Sequence, residues 1–166
     1  MKSISTLASA IAVVLLMGGS PAAVAQVAAP ASVAAPQAGM SQVVFFRPSG
    51  MGMAISCNIR ENGKMLGTAN NGRYFVLATT PGVHKFTTHG ETTDELTIQT
   101  EADETAYVKC KIGMGIMSGR PNISPSTKEE FDSRVAKMKP SDPEKMAKAI
   151  AADDAHHAGE AAGATH

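Results

Sequence analysis

Two cysteines carry the clearest chemistry in this sequence. Cys57 and Cys110 are the only cysteines among 166 residues, and each lies on the apolar face of an alternating segment. In an oxidising compartment we expect them to form a disulfide. The bridge would close a loop of about 50 residues, worth roughly 4 kcal/mol in the chain-entropy model. The alternative is a pair of buried free thiols.

Methionines in two glycine-containing loops are the second candidate for chemistry. They are Met51 and Met53, just before the first cysteine, and Met114 and Met117, just after the second. Suppose that the two cysteines face each other on strands that run in opposite directions. Four residues before Cys57 and four residues after Cys110 then lie at the same end of the two strands, each about 13 Å from its cysteine. The loops are therefore predicted to meet. They could form ordinary core packing, an apolar contact site or a soft Cu(I) site.

Two arginines and one histidine have both local and functional interpretations. Arg47 and Arg120 each precede a proline in a turn. Either arginine could fix its turn through a salt bridge or a carbonyl contact. Alternatively, it could belong to a surface that binds an anionic group of a partner. His84 shares its strand face with Phe86, which indicates a hydrogen-bonded histidine at the edge of the core.

The C-terminal tail is rich in histidine and aspartate. These residues are Asp153, Asp154, His156, His157 and His166. They could bind a divalent metal loosely, but a flexible tail loses entropy when it binds. The alternative is a solvated tail without a metal.

No motif of an enzyme is present. The sequence lacks a Gly-x-Ser-x-Gly elbow and a His-Glu-x-x-His helix, and Gly113-Met114-Gly115 lacks the Lys-Ser/Thr of a phosphate loop. Fifteen basic and 15 acidic residues balance, so charge gives no reason to expect nucleic-acid binding. We expect a protein that is not an enzyme and has no cofactor and no metal.

The N-terminus predicts export. Lys2 precedes an apolar run from Leu7 to Met17, and Ala23-Val24-Ala25 fits a cleavage site. Residues 1–25 are interpreted as a signal peptide, so that the mature chain begins at Gln26 and is periplasmic or secreted. An uncleaved membrane anchor is the alternative, and no later segment is apolar enough to span a membrane.

The rest of the chain divides by composition. Residues 26–40 form an Ala/Pro linker, expected to be disordered, and residues 41–139 a β domain with an appended helix. Residues 140–166 are expected to form a weak helix through about Ala151 and a disordered tail. The strands predicted from alternation and turns are 42–47, 54–60, 64–69, 73–79, 83–88, 95–100 and 105–112.

This spacing predicts a mainly β fold, an antiparallel sandwich or small barrel of about seven strands. The appended helix is predicted to begin at a capping box of Ser126 and Glu129 and to end at Lys139-Pro140. Phe131, Val135 and Met138 would give it an apolar stripe facing the sheets.

Five motifs in order resemble one family. They are Phe45-Phe46-Arg47-Pro48-Ser49-Gly50, Asn62-Gly63-Lys64, Asn71-Gly72-Arg73-Tyr74-Phe75-Val76, Pro81-Gly82-Val83-His84 and the glycine-rich segment from Gly113 to Pro121. The order is similar to that of the bacterial family called domain of unknown function 2846, over roughly residues 42–135. The resemblance implies an exported immunoglobulin-like or prealbumin-like β-sandwich and no reaction. Many such proteins carry a lipoprotein cysteine, which this chain lacks.

Two functional hypotheses follow. The first is an exported accessory module with a protein-interaction or envelope-structural role, whose partner is an envelope protein. The second is a protein that binds a small ligand or a soft metal at the methionine and glycine loops.

Overall fold

Nine strands and two helices make up the part of the chain that the computed structural model describes, residues 33–116 and 119–163. The strands are β1 (Ser41–Arg47), β2 (Cys57–Glu61), β3 (Lys64–Ala69), β4 (Arg73–Thr79), β5 (Gly82–His89), β6 (Thr93–Thr100), β7 (Thr105–Gly113), β8 (Arg120–Ser126) and β9 (Lys139–Pro140). The helices are α1 (Lys128–Val135) and α2 (Pro143–Gly163). The predicted signal peptide and residues 26–32 of the linker lie outside the described residues, as do Met117 and His166.

The strands form two sheets. One has the order β8-β7-β1-β4-β9 and the other the order β3-β2-β5-β6. The second sheet is antiparallel throughout, but in the first sheet β1 pairs with β7, and β4 with β9, in parallel. The expectation of about seven antiparallel strands is therefore corrected, since the described residues form nine strands with two parallel pairs.

A shared core lies between the sheets. Phe45 of the first sheet contacts Phe75 of the same sheet and Phe86 of the second sheet, with ring centroids about 5 Å apart in each pair. Cys57 on β2 and Cys110 on β7 are bonded to each other, which confirms the predicted disulfide. The bridge joins the two sheets covalently through the middle of this core.

Turn chemistry sets the register of the second sheet. Asn62 and Gly63 connect β2 to β3 with φ angles of 51° and 81°, the left-handed conformation that a two-residue hairpin of this type needs. A bulge between Ile59 and Arg60 leaves Leu66 unpaired and shifts the ladder by one residue.

Helix α1 covers the outer face of the first sheet. Phe131, Val135 and the following Met138 are buried as predicted, against Val44 and Phe46 of β1. The cap differs from the prediction: Thr127, not Ser126, accepts the backbone N–H of Glu130. The helix also ends at Val135 rather than at Lys139-Pro140, because those two residues pair with β4 as β9.

Strand β8 was not predicted, because it contains Pro121 and Pro125. A proline cannot donate to a sheet ladder, and it is tolerated on an edge strand. Within the described part of the chain, strand β8 is such an edge and pairs with β7.

Helix α2 is longer than predicted and continues to Gly163. Pro143 occupies its first position, and Asp142 accepts the backbone N–H groups of Glu144 and Lys145. Alanine, the best helix former, fills much of the segment that was expected to be disordered. Asp153 then binds Arg60 of β2 through both carboxylate oxygens, which holds the helix on the second sheet.

Candidate functional site

The two methionine loops lie at the same end of the molecule. Met51 and Met114 line one cavity of 220 Å³, together with Ile55, Ile112 and Ile116. The loops therefore meet as the spacing from Cys57 and Cys110 predicts. Met53 does not line this cavity.

Large apolar side chains are exposed on these loops. Met51 is 67% exposed, Met53 77%, Met114 80% and Ile116 90%. We call these four residues the loop tip. Sequence analysis missed Ile116, although an isoleucine within a glycine-rich loop was a usable signal, because such a loop gives it few neighbours to pack against.

Arg47 holds the first loop from beneath. Its side chain is buried, and its guanidinium donates to the carbonyl oxygens of Ile55, Met51 (3.2 Å) and Gly52 (2.7 Å). Burial lowers the pKa of Arg47 below its ordinary value, but a guanidinium keeps its proton at physiological pH. The contact is the local one that sequence analysis considered, and it fixes the shape of the loop.

Two glycines allow the loops to approach each other. Gly52 has a φ of 70°, and a Cβ there would lie 2.7 Å from Cγ2 of Ile112. A Cβ on Gly119 would lie 2.2 Å from Cδ1 of Ile55. Any larger residue at either position would push the loops apart, so these glycines are needed for the shared cavity.

Glu91 anchors the second loop, and sequence analysis did not identify it. Its carboxylate accepts the backbone N–H of Ile116 at 2.9 Å and Nε of Arg120 at 3.2 Å. Arg120 is thus engaged in a local salt bridge, although its side chain stays 43% exposed. A glutamate in a turn 25 residues before its partner gives no local pattern that would reveal this role.

A second cleft adjoins the loop tip and shares Met51 with it. This cleft of 310 Å³ is lined by Lys109, Lys111 and Arg134, with Glu130 as a counter-charge. Both carboxylate oxygens of Glu130 accept Nζ of Lys109, at 2.6 and 2.8 Å. Lys111 has no such pairing within the described residues, so the border of the tip is basic.

Among the described residues that line the shared cavity, none carries a group for acid–base or nucleophilic chemistry. All of its described lining residues are methionine, isoleucine or glycine. Such a surface can make apolar contacts, or it can offer thioether sulfurs to a soft ion.

The described histidines make local contacts or lie on α2. His84 is buried at the core edge, where its Nδ1 lies 2.8 Å from Glu61 and its ring stacks on Phe86. His156 and His157 are exposed on α2. Throughout residues 33–116 and 119–163, no three His, Cys, Asp or Glu side chains form a group that could hold a metal ion. The described helices also include none that is long and apolar enough to cross a membrane.

Comparison with known proteins gives a family and nothing more specific. Neither the curated proteins nor the solved structures include a match to this chain. One family model matches residues 37–122, which is more than half of the chain and runs from the strand-β1 region into β8. The chain therefore belongs to the family described as protein of unknown function (DUF2846).

Proposed function

We propose that this chain is an exported, non-enzymatic accessory module that binds a protein partner of the cell envelope through the loop tip. The observation that carries this proposal is the exposure of Met51, Met53, Met114 and Ile116 on two loops that are anchored from beneath. Exposed apolar groups that gather at one place are typical of interaction sites.

The chemistry of the tip indicates the kind of partner. Thioether side chains adapt to irregular apolar surfaces, and methionine is enriched at interfaces. Lys111 and Arg120 lie beside the tip. We therefore propose a partner surface with an apolar centre and an acidic border, since complementary charges favour association.

Two further features support export and the scaffold. Disulfides persist in oxidising compartments, so the Cys57–Cys110 bridge supports a periplasmic or secreted protein. A bridge between two packed sheets supports an immunoglobulin-like architecture, which presents binding loops at its ends.

Photo-crosslinking in cells that export the protein tests the proposal. A benzophenone amino acid is placed at Met114, in the tip, or at Val83, which is 69% exposed on β5 away from it. We expect one discrete adduct with a second protein from position 114 and none from position 83. No adduct from position 114, or the same adducts from both positions, would contradict the proposal.

Soft-metal binding is a second candidate, because Met51 and Met114 share one cavity. Thioether sulfur suits Cu(I). Anaerobic titration against a competing chelator should then show Cu(I) binding by the native chain and its loss after Met51→Ala plus Met114→Ala. Equal competition by both chains would remove this candidate.

A further inference from the structure

A polar groove lies between α2 and the outer face of β2 and β3, away from the loop tip. Its volume is 670 Å³, within the range of small-molecule binding sites. Strand side chains form one wall and α2 the other. Its described lining residues include no Phe or Tyr, and the one aromatic ring among them is that of His156.

Thr68 places an unpartnered hydroxyl in this groove. The side chain is 7% exposed, and its Oγ1 has no hydrogen-bond partner within the described residues. Its neighbours Gly67 and Ala69 face the core, so the alternation of the strand turns Thr68 outward, towards α2. Buried polar groups are normally paired, so this hydroxyl indicates a ligand atom in the groove.

Further hydrogen-bonding groups lie beside Thr68. Asn58 is its direct partner in the β2–β3 ladder, and the side chain of Asn58 also lines the groove. A hydroxyl and an amide on adjacent strands can bond the N–H and C=O groups of an extended chain.

One end of the groove carries two cations. Arg73 donates Nη1 to the carbonyl of Pro140 at 2.9 Å, and neither Arg73 nor Lys145 forms an ion pair with another described residue. Asp142 also lines this end, but its Oδ1 is engaged with backbone N–H groups of α2. The two cations are therefore able to receive a carboxylate.

The other end carries Asp153. Its oxygens accept the guanidinium of Arg60, and Nε2 of His157 lies 3.7 Å away, yet each carboxylate oxygen has further acceptor capacity. Lys145 and Asp153 are eight residues apart on α2, which is about 12 Å at 1.5 Å per residue. An extended peptide covers about 3.3–3.6 Å per residue, so three or four residues span this distance.

We propose that this groove binds a short peptide with free ends. The C-terminal carboxylate lies at Arg73 and Lys145, the N-terminal ammonium lies at Asp153, and the peptide backbone bonds Thr68 and Asn58. The length follows from the spacing of the charges, and the walls offer hydrogen-bonding groups for the main chain beside apolar patches of Met65, Met146, Ala149 and Ala152.

Calorimetric titration of the full mature chain with trialanine tests this proposal. We expect saturable binding, and at least tenfold weaker binding of the C-terminal amide and of the N-acetylated peptide. The variant Arg73→Gln should also bind trialanine at least tenfold more weakly. Thr68→Val, which is isosteric and removes only an unpaired hydroxyl, should weaken binding several-fold while leaving the thermal unfolding midpoint unchanged or raised.

Several outcomes overturn the proposal. Absence of saturation at millimolar trialanine is one, and equal binding of the doubly blocked peptide is another. Saturable binding of maltotriose in place of trialanine would assign the groove to sugars. If Arg73→Gln unfolds the protein, the end-blocked peptides and the Thr68 variant still decide the result. The tip proposal is unaffected, because no tip residue is changed.

Discussion

A single buried cation shapes the proposed contact surface. Arg47 ends β1 and donates to the carbonyl oxygens of Met51, Gly52 and Ile55. The Gly52 carbonyl also accepts the backbone N–H of Ile55. The partners of Arg47 in the described part of the chain are carbonyls rather than carboxylates. The arginine therefore fixes the shape of the loop, and its charge interacts with several peptide dipoles.

Replacing Arg47 with methionine should destabilise the fold and loosen the loop. Arg47→Met keeps most of the aliphatic volume but removes the hydrogen bonds from the buried guanidinium to three loop carbonyls, so we expect a loss of about 2–4 kcal/mol. Urea unfolding measures it. The control Arg120→Met removes only a half-exposed salt bridge and should cost less than about 1 kcal/mol. Equal losses of stability for the two variants would contradict the role of Arg47 in fixing the loop.

Sequence analysis explains part of this arrangement at the scale of residues. The turn position of Arg47 before a proline indicated a local contact, and the structure contains one. The role of Glu91 could not be predicted, because its contact with Ile116 depends on how two distant turns approach in space. Periodicity and turn rules describe neighbours along the chain and contain no such information.

At the scale of elements, α1 is held on the first sheet by an aromatic cluster and one charged contact. Phe131 packs edge-on against Phe46 and Tyr74. Glu130 accepts Nζ of Lys109 on β7 and the hydroxyl of Ser126. These bonds, with that of Lys109 first, lower the pKa of Glu130 below its ordinary value of 4.5.

This contact makes the attachment of α1 sensitive to acid. Because the pKa of Glu130 is lowered on folding, its contribution is fully present above pH 4.5 and is lost as the pH falls through the folded-state value. The difference in unfolding free energy between the native chain and Glu130→Gln should therefore shrink between pH 7 and pH 3. Urea unfolding at both values measures it, and a constant difference would refute the prediction.

The elements that sequence analysis does not predict are those whose residues depart from the usual local patterns of strands and helices. Strand β8 contains two prolines, which exclude a central strand but not an edge paired on one side. Strand β9 has two residues and depends on β4 for its existence. Helix α2 beyond Ala151 has a weak apolar pattern, and its contact through Asp153 comes from the tertiary structure.

At the scale of the whole molecule, the disulfide joins two sheets that differ in pairing. Alternation predicted a mainly β fold and the two cysteines predicted a bridge, and the structure contains two sheets and the bridge. The parallel pairing of β1 with β7 could not be predicted, since alternation gives the face of each residue but not the partner strand. The long separation of Cys57 and Cys110 makes the bridge a global constraint.

Removal of the bridge should lower the stability of the whole domain. Cys57 and Cys110 are 53 residues apart, so the chain-entropy model gives a loss of about 4 kcal/mol for Cys57→Ala plus Cys110→Ala. Urea unfolding without reductant measures the loss. Reduction of the native chain should have a similar effect, and a loss below about 1 kcal/mol would contradict a stabilising bridge.

The central claim is that the loop tip is the contact surface. The most direct test measures how much adduct the benzophenone at position 114 forms when other exposed residues of the chain are replaced. Met51→Ser with Ile116→Ser changes two exposed tip residues, so stability should stay within about 0.5 kcal/mol. The matched control is Val76→Ser with Val83→Ser, which are exposed elsewhere. We predict that the adduct falls at least fivefold in the tip variant and is unchanged in the control. An equal adduct yield from both variants would contradict the claim.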